Sequence, residues 1–158
     1  MKGAGRTVRV ANRRPGLRLD RTALAAALRV LDAHAPRFRG GCPGGELSVA
    51  FLTEPALARL HGRFLGDPSA TDVITFGGDR AGGTAGEICV SVDAAARHAG
   101  RAGPRLSAEI TLYVVHGWLH LAGYDDTTPA ARRSMRRAEA RAMRLLARSA
   151  APPRFLLA

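Results

Sequence analysis

The chain has 158 residues, enough for one domain with a buried core, and its 46% hydrophobic content excludes a disordered polypeptide. Its 24 basic against 13 acidic residues leave a net charge of +11, which favours a polyanionic partner such as nucleic acid. No segment approaches the roughly 18 consecutive apolar residues of a membrane span, and the basic residues 1–16 precede no apolar secretion-signal segment. We therefore predict a single cytoplasmic domain over residues 1–158 that enters no membrane.

Apolar periodicity and cap residues predict four strands and five helices. In chain order these are a strand at 7–11, a helix from the N-cap Asp20 to 33, a strand at 46–52, a helix from Thr53 to 64, strands at 72–76 and 87–91, and helices at 92–99, 106–121 and 129–147. A glycine-rich, mobile loop is expected to join the third and fourth strands as neighbours, and residues 150–158 form a short, proline-broken tail. The pattern predicts an α/β (α+β) fold, a small mixed sheet of about four strands packed with about five helices.

The two cysteines, Cys42 and Cys89, lie far apart in the chain and form no Cys-x-x-Cys pair. A structural disulfide between them is an alternative, but a reducing cytosol favours two free thiols.

The most informative segment runs from residue 116 to residue 126. Four residues advance an α-helix by about 400°, so His116 and His120 project from one face, where two imidazoles can bind the same divalent ion. Gly123 can take the left-handed conformation that ends a helix. The chain can then turn back so that Asp126 reaches the same ion. This spacing matches the metzincin zinc motif and leaves one metal position open for water.

The residues alone leave two alternatives open at this site. Histidine pairs four positions apart on a helix often occur without a metal, although the glycine and the carboxylate at the expected offsets favour one here. Asp125 can serve in place of Asp126, because both carboxylates follow the turn. His34 and His98 lack comparable spacing and are expected to be solvated side chains on helix surfaces.

The residue after the first histidine, Gly117, indicates which hydrolytic reaction the site can support. A zinc protease carries a glutamate there as general base, whereas this chain has Gly117, which has no side chain to accept a proton. Peptide hydrolysis by that route is therefore disfavoured. A bound metal ion can still lower the pKa of its water to about 7 and polarise a phosphoryl oxygen. Phosphodiester cleavage suits this basic chain better.

Four motifs in register resemble those of the YbeY endoribonucleases. Their order and spacing agree over residues 46–143, which makes the match far more specific than an isolated His-x-x-x-His pair. The matching residues are 116–125 for the family's His-Gly-x-Leu-His-Leu-x-Gly-Tyr-Asp signature, 71–76 for its Thr-Asp-Val strand, 86–91 for its Gly-(Asp/Glu)-Ile strand, and Met135 with Glu139 for the Met-x-x-x-Glu of its last helix.

The resemblance implies a zinc-dependent endoribonuclease specific for single-stranded RNA, with one Zn²⁺ per chain held by His116, His120 and Asp126. It also implies a fold related to the zinc proteases, with a zincin-like metal helix. The implied role is maturation of the 3′ end of 16S ribosomal RNA and ribosome quality control. The implied partners are therefore ribosomal RNA and the small ribosomal subunit.

Three positions depart from the family pattern. Asp126 stands where members carry a third histidine; its carboxylate is an acceptable zinc ligand, but a harder donor admits Mn²⁺ more readily. Leu65 stands where many members carry an arginine linked to nuclease activity. Arg63, two positions earlier, is the candidate replacement and the predicted catalytic side chain, or else a surface arginine without that role. His61 replaces a usual asparagine and can lie near the cleft.

Three further side chains near these motifs have alternative roles. Glu87 is the candidate carboxylate for orienting a ligand histidine, or it is an acid at the start of a strand that faces solvent. Trp118 and Tyr124 flank the metal motif and can stack on bases, although core packing is the favoured interpretation for Trp118.

The last predicted helix carries a basic stripe opposite an apolar face. The stripe can bind RNA phosphates, or it can be a solvated helix face; all but one of the chain's basic residues are arginine, which codon bias alone can favour. The stripe consists of Arg133, Arg137, Arg141, Arg144 and Arg148, and the apolar face of Ala131, Met135, Ala138, Ala142 and Leu145.

The leading hypothesis is a metal-dependent endoribonuclease in which Arg63 and nearby arginines neutralise the charge that develops at the phosphate. The first rival is a ribosome-associated RNA-binding factor whose metal is purely structural, and the loss of the usual arginine at Leu65 favours it. The second is a metallohydrolase with a non-RNA substrate, which weak RNA affinity at physiological salt would favour.

Overall fold

Helices and strands alternate in the computed structural model, which describes residues 5–66, 71–149 and 152–158. The strands are β1 (Arg6–Asn12), β2 (Leu17–Leu19), β3 (Gly45–Leu52), β4 (Val73–Gly77), β5 (Thr84–Ser91) and β6 (Phe155–Leu157). The helices are α1 (Arg21–Ala33), α2 (Glu54–Leu65), α3 (Val92–Ala99), α4 (Gly103–Leu121) and α5 (Pro129–Ala147), with a 3₁₀ turn at Ala35–Arg37. None of the helices in these ranges is long and apolar enough to cross a bilayer.

Four strands form the main sheet in the order β1-β3-β5-β4. β1, β3 and β5 run parallel, whereas β4 pairs antiparallel with β5 at the sheet edge. The predicted mixed sheet is therefore confirmed, and so is the prediction that the third and fourth strands of the sequence are neighbours. β3 and β5 carry nearly continuous apolar runs because both lie inside the sheet.

The two faces of the sheet are covered unequally. The main core lies on one face of the sheet, around fully buried Leu31, Ile110 and Ala138. α4 and α1 pack against the strands there, and α5 packs against α4 and α1. A smaller cluster lies on the other face, where Leu57 of α2 packs against the sheet beside Ile74. α4 packs against both β4 and β5, which places its C-terminal end beside the antiparallel edge of the sheet.

Side-chain caps start four of the helices at residues that the sequence marks. The hydroxyl or carboxylate of each cap residue accepts a hydrogen bond from the backbone N–H three positions on, at 3.0–3.3 Å. Such caps satisfy donors that have no partner inside the helix. The predicted starts at Asp20 and Thr53 are confirmed, and the other two caps are Ser91 and Thr128.

The structure has a second, two-stranded sheet that the sequence did not predict. β2 pairs antiparallel with β6, so the tail that was predicted to be irregular ends in a strand. Phe155 is buried, and its ring centroid lies 5.4 Å from that of Phe51. Strands of three residues are too short to show a convincing apolar alternation. Residues 150 and 151 of the tail lie outside the described residues.

Cys42 and Cys89 are buried and free, as predicted. Burial raises the pKa of the Cys42 thiol to about 11 and that of Cys89 to about 12. Because the thiolate is the reactive form, we expect both to react very slowly with iodoacetamide in the native protein at neutral pH, and both to react readily after unfolding in guanidinium chloride. Mass spectrometry counts the labels. Fast labelling of either native thiol would contradict its buried position.

Gly117 allows α4 to lie directly against β5. A Cβ atom at this position would lie 2.5 Å from Cγ2 of Ile88, a fully buried side chain. This distance is too short for a non-bonded carbon–carbon contact, and the atoms in contact belong to a branched side chain that is fully buried in a closely packed core. Packing against the sheet therefore excludes every larger side chain at residue 117.

We expect Gly117→Ala to lower the free energy of unfolding by about 1–2 kcal/mol. Overpacking a core typically costs about 1–3 kcal/mol, which outweighs the gain of up to about 1 kcal/mol from replacing a helical glycine by alanine. Urea denaturation measures the change. Gly77→Ala is the matched control, because a Cβ there would meet nothing within 4 Å. Equal or greater stability of Gly117→Ala would contradict the close contact.

Candidate metal centre

Three side chains with metal-ligating atoms converge at the C-terminal end of α4. Nε2 of His116 lies 3.0 Å from Nε2 of His120. Oδ2 of Asp126 lies 3.4 Å from the first of these atoms and 3.5 Å from the second. Within the described part of the chain, His116, His120 and Asp126 form a group that could hold a metal ion.

The spacing of these donors fits a tetrahedral ion. Zinc binds imidazole nitrogen and carboxylate oxygen at about 2.0–2.2 Å, so two ligand atoms of a tetrahedral site lie about 3.3–3.5 Å apart. The two separations to Asp126 fall in this range, whereas the 3.0 Å between the two nitrogens is slightly shorter, so a small rotation of the imidazoles would complete the fit. Two nitrogens and one oxygen also form the donor set of several zinc hydrolases, in which a fourth position stays open for water.

A glycine turn brings the aspartate back to the histidines. Gly123 has φ 104°, the left-handed region predicted for it. Its N–H donates to the carbonyl of His120, and the N–H of Tyr124 donates to the carbonyl of Leu119, both at 3.0 Å. This pair of hydrogen bonds is the Schellman motif, which ends a helix and reverses the chain direction. Residues 124–128 therefore run back past the histidines before α5 begins.

The two consecutive aspartates after this turn have different partners. The Asp125 carboxylate accepts hydrogen bonds from the Asp126 N–H at 2.8 Å and the Thr127 hydroxyl at 2.6 Å, which stabilise the local turn. These hydrogen bonds lower the pKa of Asp125. The Asp126 carboxylate faces the histidine pair. Of the two alternatives that the sequence left open, the structure places Asp126 within reach of a shared ion.

Glu139 of α5 is the carboxylate beside the ligand histidines. Its Oε2 atom lies 3.7 Å from Nδ1 of His116, longer than a hydrogen bond but within ion-pair distance. A proton held on Nδ1 towards Glu139 leaves Nε2 unprotonated and able to bind a metal. Burial acts to lower the pKa of His116, but the surrounding carboxylates, above all Glu139, raise it. The site therefore favours positive charge.

The structure does not support the orienting role that the sequence left open for Glu87. Its side chain is exposed on β5 and accepts a 3.5 Å hydrogen bond from the Cys89 thiol, on the face of the sheet away from α4. Residue 87 alternates with buried Ile88, which packs against α4, so its side chain must point to the opposite face. The alternative interpretation, an acid that faces solvent, is the one the structure supports. The signal for Glu139 was the Met-x-x-x-Glu motif of the last helix.

The three candidate ligands lie in an open cleft of about 640 Å³, here called the metal cleft. Leu65 and His61 from α2 line it, so the structure supports the cleft position that the sequence left open for His61. Arg63 is exposed, lies with its guanidinium 5.4 Å from the Phe64 ring centroid, and lines a separate depression. The described residues that line the metal cleft are Pro43, His61, Leu65, Asp72, Arg80, His116, His120, Leu121 and Asp126, together with residues 71, 73–75, 77–78 and 84–85.

The two aromatic residues of the metal motif are buried. Trp118 is fully buried and donates its indole N–H to Asp32 at 3.1 Å, which agrees with the favoured core role. Tyr124 is buried as well, with the Arg39 guanidinium 4.2 Å from its ring centroid. Neither ring is available in this conformation to stack on a base.

The basic stripe of α5 is exposed at four of its five predicted positions. Arg141 is the exception, since it is half-buried and donates to the Tyr124 hydroxyl and the Arg37 carbonyl, each at 3.3 Å. On the apolar face Leu146, rather than Leu145, is the last fully buried residue. The exposed stripe residues are Arg133, Arg137, Arg144 and Arg148.

The other two helix histidines differ in their surroundings. His98 is exposed as predicted, with Nε2 3.9 Å from Oε2 of Glu109. His34 is only partly exposed, because its Nδ1 lies 2.9 Å from the Val30 carbonyl at the end of α1.

The fold combines a mixed sheet with a helix that carries two histidines, and a glycine turn after that helix brings a carboxylate back towards them. These features define an α/β protein with a zincin-like metal helix. A family model described as Endoribonuclease YbeY matches residues 10–147. The chain belongs to the YbeY family.

Curated relatives agree with this assignment. The Endoribonuclease YbeY of Anaeromyxobacter dehalogenans is 38% identical over 121 residues, which cover 73% of this chain and 63% of the relative. That of Chlamydia muridarum is 41% identical over 67% of this chain and 70% of the relative. That of Chlorobaculum parvum is 32% identical over 77% of this chain and 82% of the relative. The chain thus spans about two thirds of the length of the first two relatives.

A solved structure supports the fold. The solution structure of TM1509 from Thermotoga maritima superposes with a TM-score of 0.56 and 23% sequence identity, over 88% of each chain. At this level of identity the likeness shows the fold alone.

We expect Glu139→Gln to weaken metal binding by about tenfold or more while the fold is kept. The change removes the negative charge beside His116, and such supporting groups typically contribute about 10–100-fold to metal affinity. Competition with a chromogenic zinc chelator measures the affinity. Glu109→Gln is the matched control, because Glu109 is also a mostly buried carboxylate near a helix histidine, His98, but lies about two turns of α4 before His116. Equal affinities of both variants and the wild type would contradict the orienting role.

Proposed function

We propose that the chain is a metal-dependent endoribonuclease that cleaves single-stranded RNA, with the 3′ end of the 16S ribosomal RNA as its substrate. The convergence of His116, His120 and Asp126 in an open cleft carries the proposal. Membership of the YbeY family and the net charge of +11 support it. This function implies association with the small ribosomal subunit in the cytoplasm, and a part in ribosome quality control.

The proposed resident ion is Zn²⁺, one per chain. The histidines would bind it through Nε2 and the aspartate through Oδ2, and Glu139 would hold the His116 tautomer that leaves Nε2 free. When bound, the ion would supply a water of lowered pKa and a Lewis acid for a phosphoryl oxygen. The oxygen donor of Asp126 also suits harder cations such as Mn²⁺.

The protein's own residues constrain how the proton of the attacking water is handled. Gly117, at the position of the protease glutamate, is buried against Ile88 and offers no acceptor. Asp126 is the half-exposed carboxylate nearest to the histidine pair, and Asp72 lines the same cleft. Cleavage would therefore rely on metal-bound water, with these carboxylates as the available acceptors.

Positive charge outside the cleft would hold the RNA strand. The four exposed arginines of the α5 stripe can contact backbone phosphates, each contact adding to the salt dependence of binding. The role proposed from the sequence for Arg63, neutralising charge at the reacting phosphate, stays a prediction. Its side chain lines a different depression, so it would have to turn towards the metal cleft to fill that role.

One observation favours a second candidate, an RNA-binding factor with a structural metal. Leu65 places an apolar side chain, 57% exposed, at the wall of the metal cleft where many relatives carry an arginine. An apolar group cannot neutralise a phosphate. This candidate requires that the metal-loaded protein bind RNA without cutting it.

Elemental analysis and RNA cleavage assays on matched variants test the proposal. We expect about one ion per wild-type chain, and loss of both the ion and cleavage in His116→Ala and Asp126→Ala, because each removes one of three ligands. Asp125→Ala is the control: it removes the same carboxylate one residue earlier, where it contacts only the local turn. It should keep the ion and most of the activity.

Two results would reject the proposal. Cleavage at full rate by metal-free His116→Ala protein would mean a contaminating nuclease or a different mechanism. Metal-loaded wild-type protein that binds RNA tightly without cutting it, and metal-free protein that unfolds, would favour the structural-metal candidate.

A further inference from the structure

The metal cleft has an uneven distribution of charge. Asp72 and Asp126 contribute carboxylates to its lining, and both lie near the histidine pair. Among the described residues that line it, Arg80 is the one with a permanent positive charge. A bound divalent ion would only balance the charge of the two aspartates, so an RNA strand, which is negative at every phosphate, would gain from a further cation in the cleft.

Arg80 lies at the tip of the connection between β4 and β5. The sequence predicted a mobile, glycine-rich loop here, but hydrogen bonds close it. The Asp79 N–H donates to the Thr84 hydroxyl at 2.7 Å, and the Thr84 N–H donates to the Asp79 carbonyl at 3.0 Å. Within this closure the Gly83 N–H donates to the Arg80 carbonyl at 3.1 Å, which forms a tight turn. The backbone of Arg80 is therefore held in place at the rim of the cleft.

The guanidinium of Arg80 is exposed and has no hydrogen bond or ion pair among the described residues. Other arginines near the metal motif are already engaged. Arg39 donates to the Gly123 carbonyl and the Ser134 hydroxyl, each at 3.2 Å, and Arg141 donates to Tyr124. All five N–H donors of Arg80 thus remain available, in a planar arrangement that matches two phosphate oxygens.

We infer that Arg80 binds a backbone phosphate of the RNA strand in the metal cleft and supplies the positive charge that Leu65 does not. This inference rests on the proposed function. The class of ligand is a phosphodiester, because a guanidinium forms paired, charge-assisted hydrogen bonds with phosphate. Arg80 reaches the cleft from the β4–β5 connection, on a different element from the α2 position of Leu65.

The test compares Arg80→Ala, Arg80→Lys and Arg63→Ala with wild-type protein loaded with zinc. Fluorescence anisotropy with a short single-stranded oligoribonucleotide, repeated over a range of salt concentrations, gives the affinity and its salt dependence. We expect Arg80→Ala to lose about tenfold in affinity, and the slope of log affinity against log salt to shrink by about 0.7, the value for one phosphate contact on a single strand. Cleavage should fall by at least as much.

Arg80→Lys should keep the wild-type salt slope, because the charge remains, but bind less tightly, because the paired hydrogen bonds are lost. Arg105→Ala is the control for net charge: Arg105 is exposed in the first turn of α4, at the opposite end of the helix from the histidines. It should leave cleavage unchanged. Zinc content, measured in every variant, should stay at the wild-type level, since Arg80 is not a ligand.

The possible failures are distinguishable. If wild-type protein cleaves RNA and Arg80→Ala behaves like Arg105→Ala, the inference is overturned while the proposed function stands. If Arg63→Ala, and not Arg80→Ala, reduces cleavage and the salt slope, the charge comes from α2 and the inference is again overturned. Wild-type protein that neither binds nor cleaves RNA would overturn the proposed function and this inference with it.

Discussion

The close contact between α4 and β5 is the constraint on which the metal centre depends. Gly117 lies against Ile88 with no space for a side chain between them. Residue 117 faces the sheet, and His116 and His120 lie together on one side of it around the helix, where both line the metal cleft. The same contact explains the missing protease base, since a glutamate at residue 117 would have to occupy the space of a buried isoleucine.

The glycine turn after α4 positions Asp126, the third candidate ligand, and Arg39 stabilises that turn. Arg39, itself in the left-handed region at φ 55°, donates to the carbonyl of Gly123 and lies over the ring of Tyr124. Its other donor reaches Ser134 of α5. These contacts tie the turn to the following helix on both sides of Asp126. The aspartate is therefore placed by a packed and hydrogen-bonded segment, although its own side chain is half-exposed.

The sequence predicted best what depends on neighbours in the chain. Spacings of one to ten residues fix local geometry. The sequence therefore predicted the cap residues, the four main strands and the cluster formed by residues 116–126. It failed where distant segments meet: the partner of β6 is β2, some 140 positions away, and Glu139 reaches His116 only because α5 packs against α4. The side of the sheet on which Glu87 lies and the approach of Arg80 to the cleft likewise depend on tertiary packing, which no local pattern encodes.

Asp126 and Arg80 both affect the net charge of the metal cleft. Compared with a third histidine, Asp126 adds one negative charge beside the ion, so a loaded site would attract a phosphodiester less strongly and would lower the pKa of a bound water less. Asp72 adds to the same effect. On the proposed function, binding of the RNA strand would then depend more on cations elsewhere in the cleft. Arg80, which lines the cleft but does not belong to the candidate ligand group, would supply that charge in the role inferred for it.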